Sequence, residues 1–129
     1  MHKTNLTGPV SGGKFGWPFA AYFGDISQLG YIEEEYFVEG ESKLYIPEGE
    51  LGNDGKWVLR EGEAVPFKTR ILVHRPTDSV KFNGTVVVDW INVSRGHDVA
   101  FCCFDEMYEK GFTYVAVSAQ PTGIEGYSY

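Results

Sequence analysis

The sequence predicts an α/β fold in which antiparallel strands lead into a single βαβ unit, and three observations carry that prediction. First, β-branched and aromatic residues gather in short runs between Gly, Pro and Asn turn signals over residues 31–93. Second, one stretch near residue 100 has the capping signals of a helix. Third, FTYVAVSA at residues 112–119 is almost continuously apolar, the composition of a strand covered on both faces of a parallel sheet. Leu, Ile, Val and Phe make up 34 of 129 residues, above the ~20% level below which a chain cannot bury enough surface to fold. The length is that of one domain or part of one.

Residues 1–30 form an irregular opening segment. Its sequence, GPVSGGKFGWPF followed by AAYFGDISQLG, has neither a helical nor a strand period, and its rings are expected to hold it down. Residues 31–83 read as antiparallel strands and a hairpin. YIEEEYFVEGESKLY alternates loosely and is broken by Gly40, which suggests two short strands. Gly52-Asn53-Asp54-Gly55 is a turn signal, because Asn and Gly tolerate positive φ. It leads into KWVLRE at residues 56–61, and a second strand pair follows, FKTRILVHRP at residues 67–76 with GTVVVDWINV at residues 84–93.

Residues 84–119 read as the βαβ unit. GTVVVDWINV, residues 84–93, is its first strand. Asp98 can act as N-cap, Val99 to Lys110 contains no Gly or Pro, and Gly111 supplies the residue past the end, giving about three turns of helix. Asp105, Glu106, Glu109 and Lys110 form a narrow polar stripe, with Glu106 and Lys110 at the favourable i, i+4 spacing. The apolar flanks of that helix imply burial. The 112–119 strand completes the unit with a right-handed crossover, and residues 120–129 are a loop. A strand so apolar needs cover above and below, so residues 1–129 are expected to be an incomplete domain, free to self-associate through Tyr114, Val115, Ala116 and Val117.

Eighteen acids against eleven bases give a net charge of −7. Eleven of those acids lie in residues 25–63, against Lys43, Lys56 and Arg60 only, so the middle third carries −8. No cluster of Lys and Arg offers a face for phosphate, and no nucleic-acid partner is expected. No run of ~18 apolar residues is present, and Met1-His2-Lys3-Thr4-Asn5 is not a charged-then-apolar leader. Neither a membrane span nor a signal peptide is therefore expected, and the compartment stays unknown. Glu33, Glu34 and Glu35 are consecutive and cannot converge on a strand. Cys102 and Cys103 are neighbours without CxxC spacing, in an apolar run where a thiol is an inert core residue. No metal and no cofactor is expected.

The segment with most chemical content is Asn92-Val93-Ser94-Arg95-Gly96, between a strand and a helix. It is one residue away from G-x-S-x-G, the elbow that exposes a nucleophilic serine above a sheet. Asn92 stands where the first glycine is needed, and the only histidine after Ser94 is His97, next to Asp98, which the helix requires as its cap. Ser94 is therefore a poor nucleophile. The same loop can act without a side-chain nucleophile, because amides at the end of a strand and before a helix can complete an oxyanion hole. An ordinary βα turn fits this composition as well. His74 and His97 read as a strand-end and a loop residue. Trp90 reads as core, whereas the more open Trp17 and Trp57 could belong to a sugar-binding platform.

GPVSGGKFGWPF, YIEEEYFVEG, FKTRILVHRP, FNGTVVVDWINVS and FTYVAVSAQPTGIEG occur in that order, and together they resemble the N-terminal half of the alpha/beta hydrolase domain-containing proteins. The resemblance implies that residues 1–129 are the N-terminal portion of one alpha/beta-hydrolase domain of serine carboxylesterase type. It implies a small-molecule ester substrate and a nucleophile elbow further along, with acid and histidine also downstream. By that likeness Asn92, Val93 and Ser94 form the oxyanion loop through their backbone, and the 129-residue chain alone is inactive. Arg95 departs from the Gly-Gly that the family tends to show after the loop serine, and could set a cation beside a bound carboxylate. The alternatives are a noncatalytic β-rich binding module and one chain of a two-chain assembly.

Overall fold

A computed structural model of the protein describes residues 4–13, 18–100 and 105–125. Its strands are β1 (Asn5–Thr7), β2 (Tyr31–Pro47), β3 (Leu59–Pro76), β4 (Val86–Trp90) and β5 (Thr113–Ser118), and its α-helices are α1 (Asp105–Glu109) and α2 (Pro121–Glu125). The five strands form one mixed sheet in the order β1-β2-β3-β5-β4. The chain divides into two compact units, Met1–Asn5 with Glu39–Lys68 and Leu6–Val38 with Thr69–Tyr129.

β2 and β3, each with residues in both units, are longer than their sequences suggest. The two short strands expected on either side of Gly40 are one 17-residue strand. Gly40 is not among the glycines with positive φ, so it continues the strand, and pairing with neighbours overrides its weak β propensity. The expected strands at 56–61 and 67–76 likewise fuse into the 18 residues of β3, which begins at Leu59 and leaves residues 56–58 outside it. The turn between β2 and β3 is closed locally: the Lys56 N–H donates to Asp54 Oδ1 at 3.1 Å, and the Trp57 indole donates to the Gly52 carbonyl at 2.7 Å. Lys43–Glu61 and Lys68–Glu39 pair across the strands, at the surface, where such pairs contribute little.

The second unit holds the core. Leu72 of β3, Ile91, and Tyr114 and Ala116 of β5 are each 1% exposed and pack together, with Val87 and Met107 against them. Burying a side chain such as Leu72 contributes roughly 2 kcal/mol. β5 runs antiparallel to β3, with Leu72 opposite Ala116 and His74 opposite Tyr114. It runs parallel to β4, with Val88 opposite Val115, so β5 lies between the two strands expected to pair, 67–76 and 84–93, which are not neighbours. The strand expected to lack neighbours thus has one on each edge, so Tyr114, Val115, Ala116 and Val117 do not offer a free edge. Exposed apolar residues of this unit's sheet include Val86, Val88 and Trp90 of β4. Trp90, read as core from its place in an apolar run, is 71% exposed. The outer face of β4 is uncovered among the described residues.

The helix expected over 99–110 is described from Asp105 to Glu109. Phe101, Cys102, Cys103 and Phe104, like His2 and Trp17, lie outside the described residues. Val99 is not helical, since it bridges to Asn92 in antiparallel fashion. Asp98 consequently caps no helix, and its carboxylate is drawn into the core by a cation on β3. Gly111, at φ 75°, ends the α1 turn as its sequence position suggested. Its N–H donates to the Tyr108 carbonyl at 3.2 Å.

Candidate functional site

The loop after β4 is built by hydrogen bonds over short spans. Ile91, whose N–H donates to the Val117 carbonyl at 3.2 Å, fixes its start. Asn92 Oδ1 accepts from the Ser94 N–H at 2.8 Å, an Asx turn. The Gly96 N–H closes a second turn on the Val93 carbonyl at 2.9 Å, and Gly96 at φ 81° occupies the left-handed region that favours glycine. The Val99 N–H donates to the Asn92 carbonyl at 3.0 Å and closes the base. Asn92, Val93, Ser94 and Arg95 therefore stand together at the sheet end. Of the three amides assigned to the oxyanion loop, that of Ser94 is engaged by its neighbour's side chain. The Val93 N–H meets no acceptor among the described residues.

Beneath the loop lies a charged cluster that the sequence reading did not single out. The Asp98 side chain is fully buried, and its Oδ2 accepts from Arg70 Nη2 at 2.8 Å and from the Ser118 hydroxyl. Arg70 Nε donates to Ser118 Oγ at 2.9 Å, and Arg70 Nη2 donates to the Phe19 carbonyl at 2.8 Å. Glu35 stands 3.6 Å from Arg70 Nη1. A buried carboxylate is tolerable only when paired and hydrogen-bonded, and this one is held by β3 and β5 at once, because Arg70 and Ser118 are register partners. One signal was legible: Arg70, Leu72 and His74 alternate along β3, so whatever face buries Leu72 must also bury two polar side chains.

His74, expected as a strand-end residue, is fully buried. Its Nδ1 lies 2.9 Å from the Tyr108 hydroxyl and its Nε2 lies 2.7 Å from Glu33 Oε2, which also accepts from the Tyr22 N–H at 2.7 Å. His97 lies against Phe19, with ring centroids 5.1 Å apart. A cleft of about 620 Å³ opens beside these groups, lined among others by Pro9, Phe19, Glu33, Glu35, Phe37 and Arg70. The next acid, Glu34, pairs with Arg75 at 2.7 Å, and this hydrogen bond holds its carboxyl below the usual carboxylate range. Burial pushes the Tyr31 phenol up, with its hydroxyl donating to the Phe112 carbonyl at 2.9 Å.

Among the described residues no serine shares a hydrogen bond with a histidine. Ser118 is engaged by Arg70 and Asp98, and both ring nitrogens of His74 face Tyr108 and Glu33. The described residues also hold no group of three His, Cys, Asp or Glu side chains arranged for a metal ion.

The five strands form one mixed sheet, with short helices in the chain before and after β5. The family model described as "Alpha/beta hydrolase domain" matches residues 6–128, and the chain belongs to that family. No curated protein and no solved structure matches it.

Proposed function

We propose that the chain is the N-terminal portion of a serine hydrolase of carboxylesterase type, acting on a small-molecule ester. The observation that carries the reading is the loop at 92–96, in a member of the alpha/beta hydrolase family. It presents the Val93 amide at the end of a strand, with its backbone set by two turns. Amides so placed can stabilise the oxyanion of an acyl-transfer intermediate, and one such donor contributes about 3 kcal/mol to the barrier. The Ser94 N–H becomes a second donor when the Asn92 side chain releases it. Asn92, Val93 and Ser94 act through the backbone. In this reading β4, α1 and β5 are the first βαβ unit of the hydrolase sheet, a reading that the parallel register of β4 on β5 supports.

The nucleophile, the acid and the histidine come from outside residues 1–129 in this reading, which agrees with Ser118 being engaged by Arg70 and Asp98 and His74 by Tyr108 and Glu33. Arg95, beside the loop, favours substrates with a carboxylate near the ester. A fluorophosphonate probe tests the assignment: it should label a serine outside residues 1–129 in the full-length protein and leave the isolated chain unlabelled. Labelling of Ser94 would overturn it. Arg95→Gly should slow hydrolysis of acidic esters more than that of neutral ones, and equal rates on both would remove Arg95 from substrate binding.

A further inference from the structure

The geometry points to Asp98 as a positioning residue for catalysis, acting through the loop and not on the substrate; this rests on the reading of residues 92–94 as the oxyanion loop. The loop hangs from two neighbouring residues of β5. Its first end is tied by the Ile91 N–H to the Val117 carbonyl. Its far end is tied by Asp98 to Ser118 and, across the sheet, to Arg70 on β3. The Asp98 N–H donates to the Gly123 carbonyl at 2.9 Å, which joins the same point to α2.

Between those anchors the Asx turn and the Val93–Gly96 turn leave little slack, so the direction of the Val93 amide follows from where Asp98 sits. The fit around the carboxylate is tight. Among the described residues Asp98 Oδ1 has no hydrogen-bond partner, and a Cβ on Gly123 would stand 1.9 Å from it. Only a glycine at 123 lets α2 approach the carboxylate so closely. A carboxylate with one unsatisfied oxygen is costly to bury. Here the carboxylate fixes the loop to β3 and β5, and the Asp98 N–H adds α2.

An oxyanion donor acts only where its N–H lies about 3 Å from the developing charge, so loosening this anchor weakens transition-state binding more than ground-state binding. Asp98→Asn and Ser118→Ala in the full-length protein test the inference, with kcat and KM on an ester and inhibition by a trifluoromethyl ketone, which forms the tetrahedral oxyanion. Asp98→Asn is expected to lower kcat at least 10-fold. Ser118→Ala, which keeps the ion pair and so keeps the fold even if Asp98→Asn does not, is expected to lower kcat 3- to 10-fold. KM should stay within two-fold in both, and the ketone's inhibition constant should rise in step with the loss of kcat/KM. Unchanged kcat and inhibition in folded Ser118→Ala, beside an active wild type, would overturn the positioning role alone. A wild type that neither hydrolyses esters nor takes up a fluorophosphonate would overturn the underlying functional reading and this inference with it.

Discussion

Gly111 follows α1 and packs against the turn Ser79–Lys81, and replacing it with alanine tests how the second unit is closed. At φ 75° an L side chain costs about 1–2 kcal/mol. The added Cβ would also stand 2.0 Å from the Lys81 carbonyl oxygen and 3.2 Å from its carbon. Both are backbone atoms, so a chain segment must move by more than 1 Å to reach ordinary contact near 3.4 Å. That shift breaks the bond from the Asn83 N–H to the Gly111 carbonyl, 2.9 Å, and the one from Asn83 Nδ2 to the Lys110 carbonyl, 2.8 Å. At roughly 1 kcal/mol for each bond, the total loss is about 3–4 kcal/mol. Gly84 is the matched control, at φ 89° with nothing within 4 Å of an added Cβ. Its alanine variant should lose only the ~1–2 kcal/mol conformational part. Urea unfolding with unchanged m values reads both. Equal losses for the two variants would refute the claim that close backbone approach, and not φ alone, demands glycine at 111.

Other perturbations follow from the same geometry. Glu34 is held below its ordinary value of 4.5 by Arg75, so the pair stabilises the fold fully above that value and the contribution is lost as pH falls through the lowered one. Arg75→Met should therefore cost more stability at pH 7 than at pH 3, and thermal melts giving equal losses at both would contradict this. Leu72→Ala should destabilise by about 2–5 kcal/mol, because the side chain is buried on all sides; denaturant titration showing under 1 kcal/mol would mean that the core collapses around the gap. Asn92→Ala removes the acceptor of the Ser94 N–H. It should speed exchange of that amide about fivefold for roughly 1 kcal/mol of stability, and unaltered exchange would show that another group holds it.

Residues near in sequence determined much of this protein without help from the fold. The Gly52–Gly55 turn, the end of α1 at Gly111, and the loop at 92–96 depend on φ preferences and side-chain bonds spanning a few residues, so local chemistry decided them. The resemblance of five ordered segments was likewise a property of the string, and it pointed to the family that the chain belongs to.

Tertiary pairing decided the rest. Gly40 could have broken a strand, but β2, which lies between β1 and β3 in the sheet, runs through it unbroken. Trp90 looked like core in an apolar run, yet β4 is an edge strand whose outer residues face away from the core. Asp98 had the sequence position of a helix cap and became a buried anchor instead, because Arg70, 28 residues earlier, and Ser118, 20 residues later, meet it across the sheet. Short-range conformational preference fixes where a chain turns. Which charges end up sharing the interior depends on strand order and register, which bring distant residues to one point.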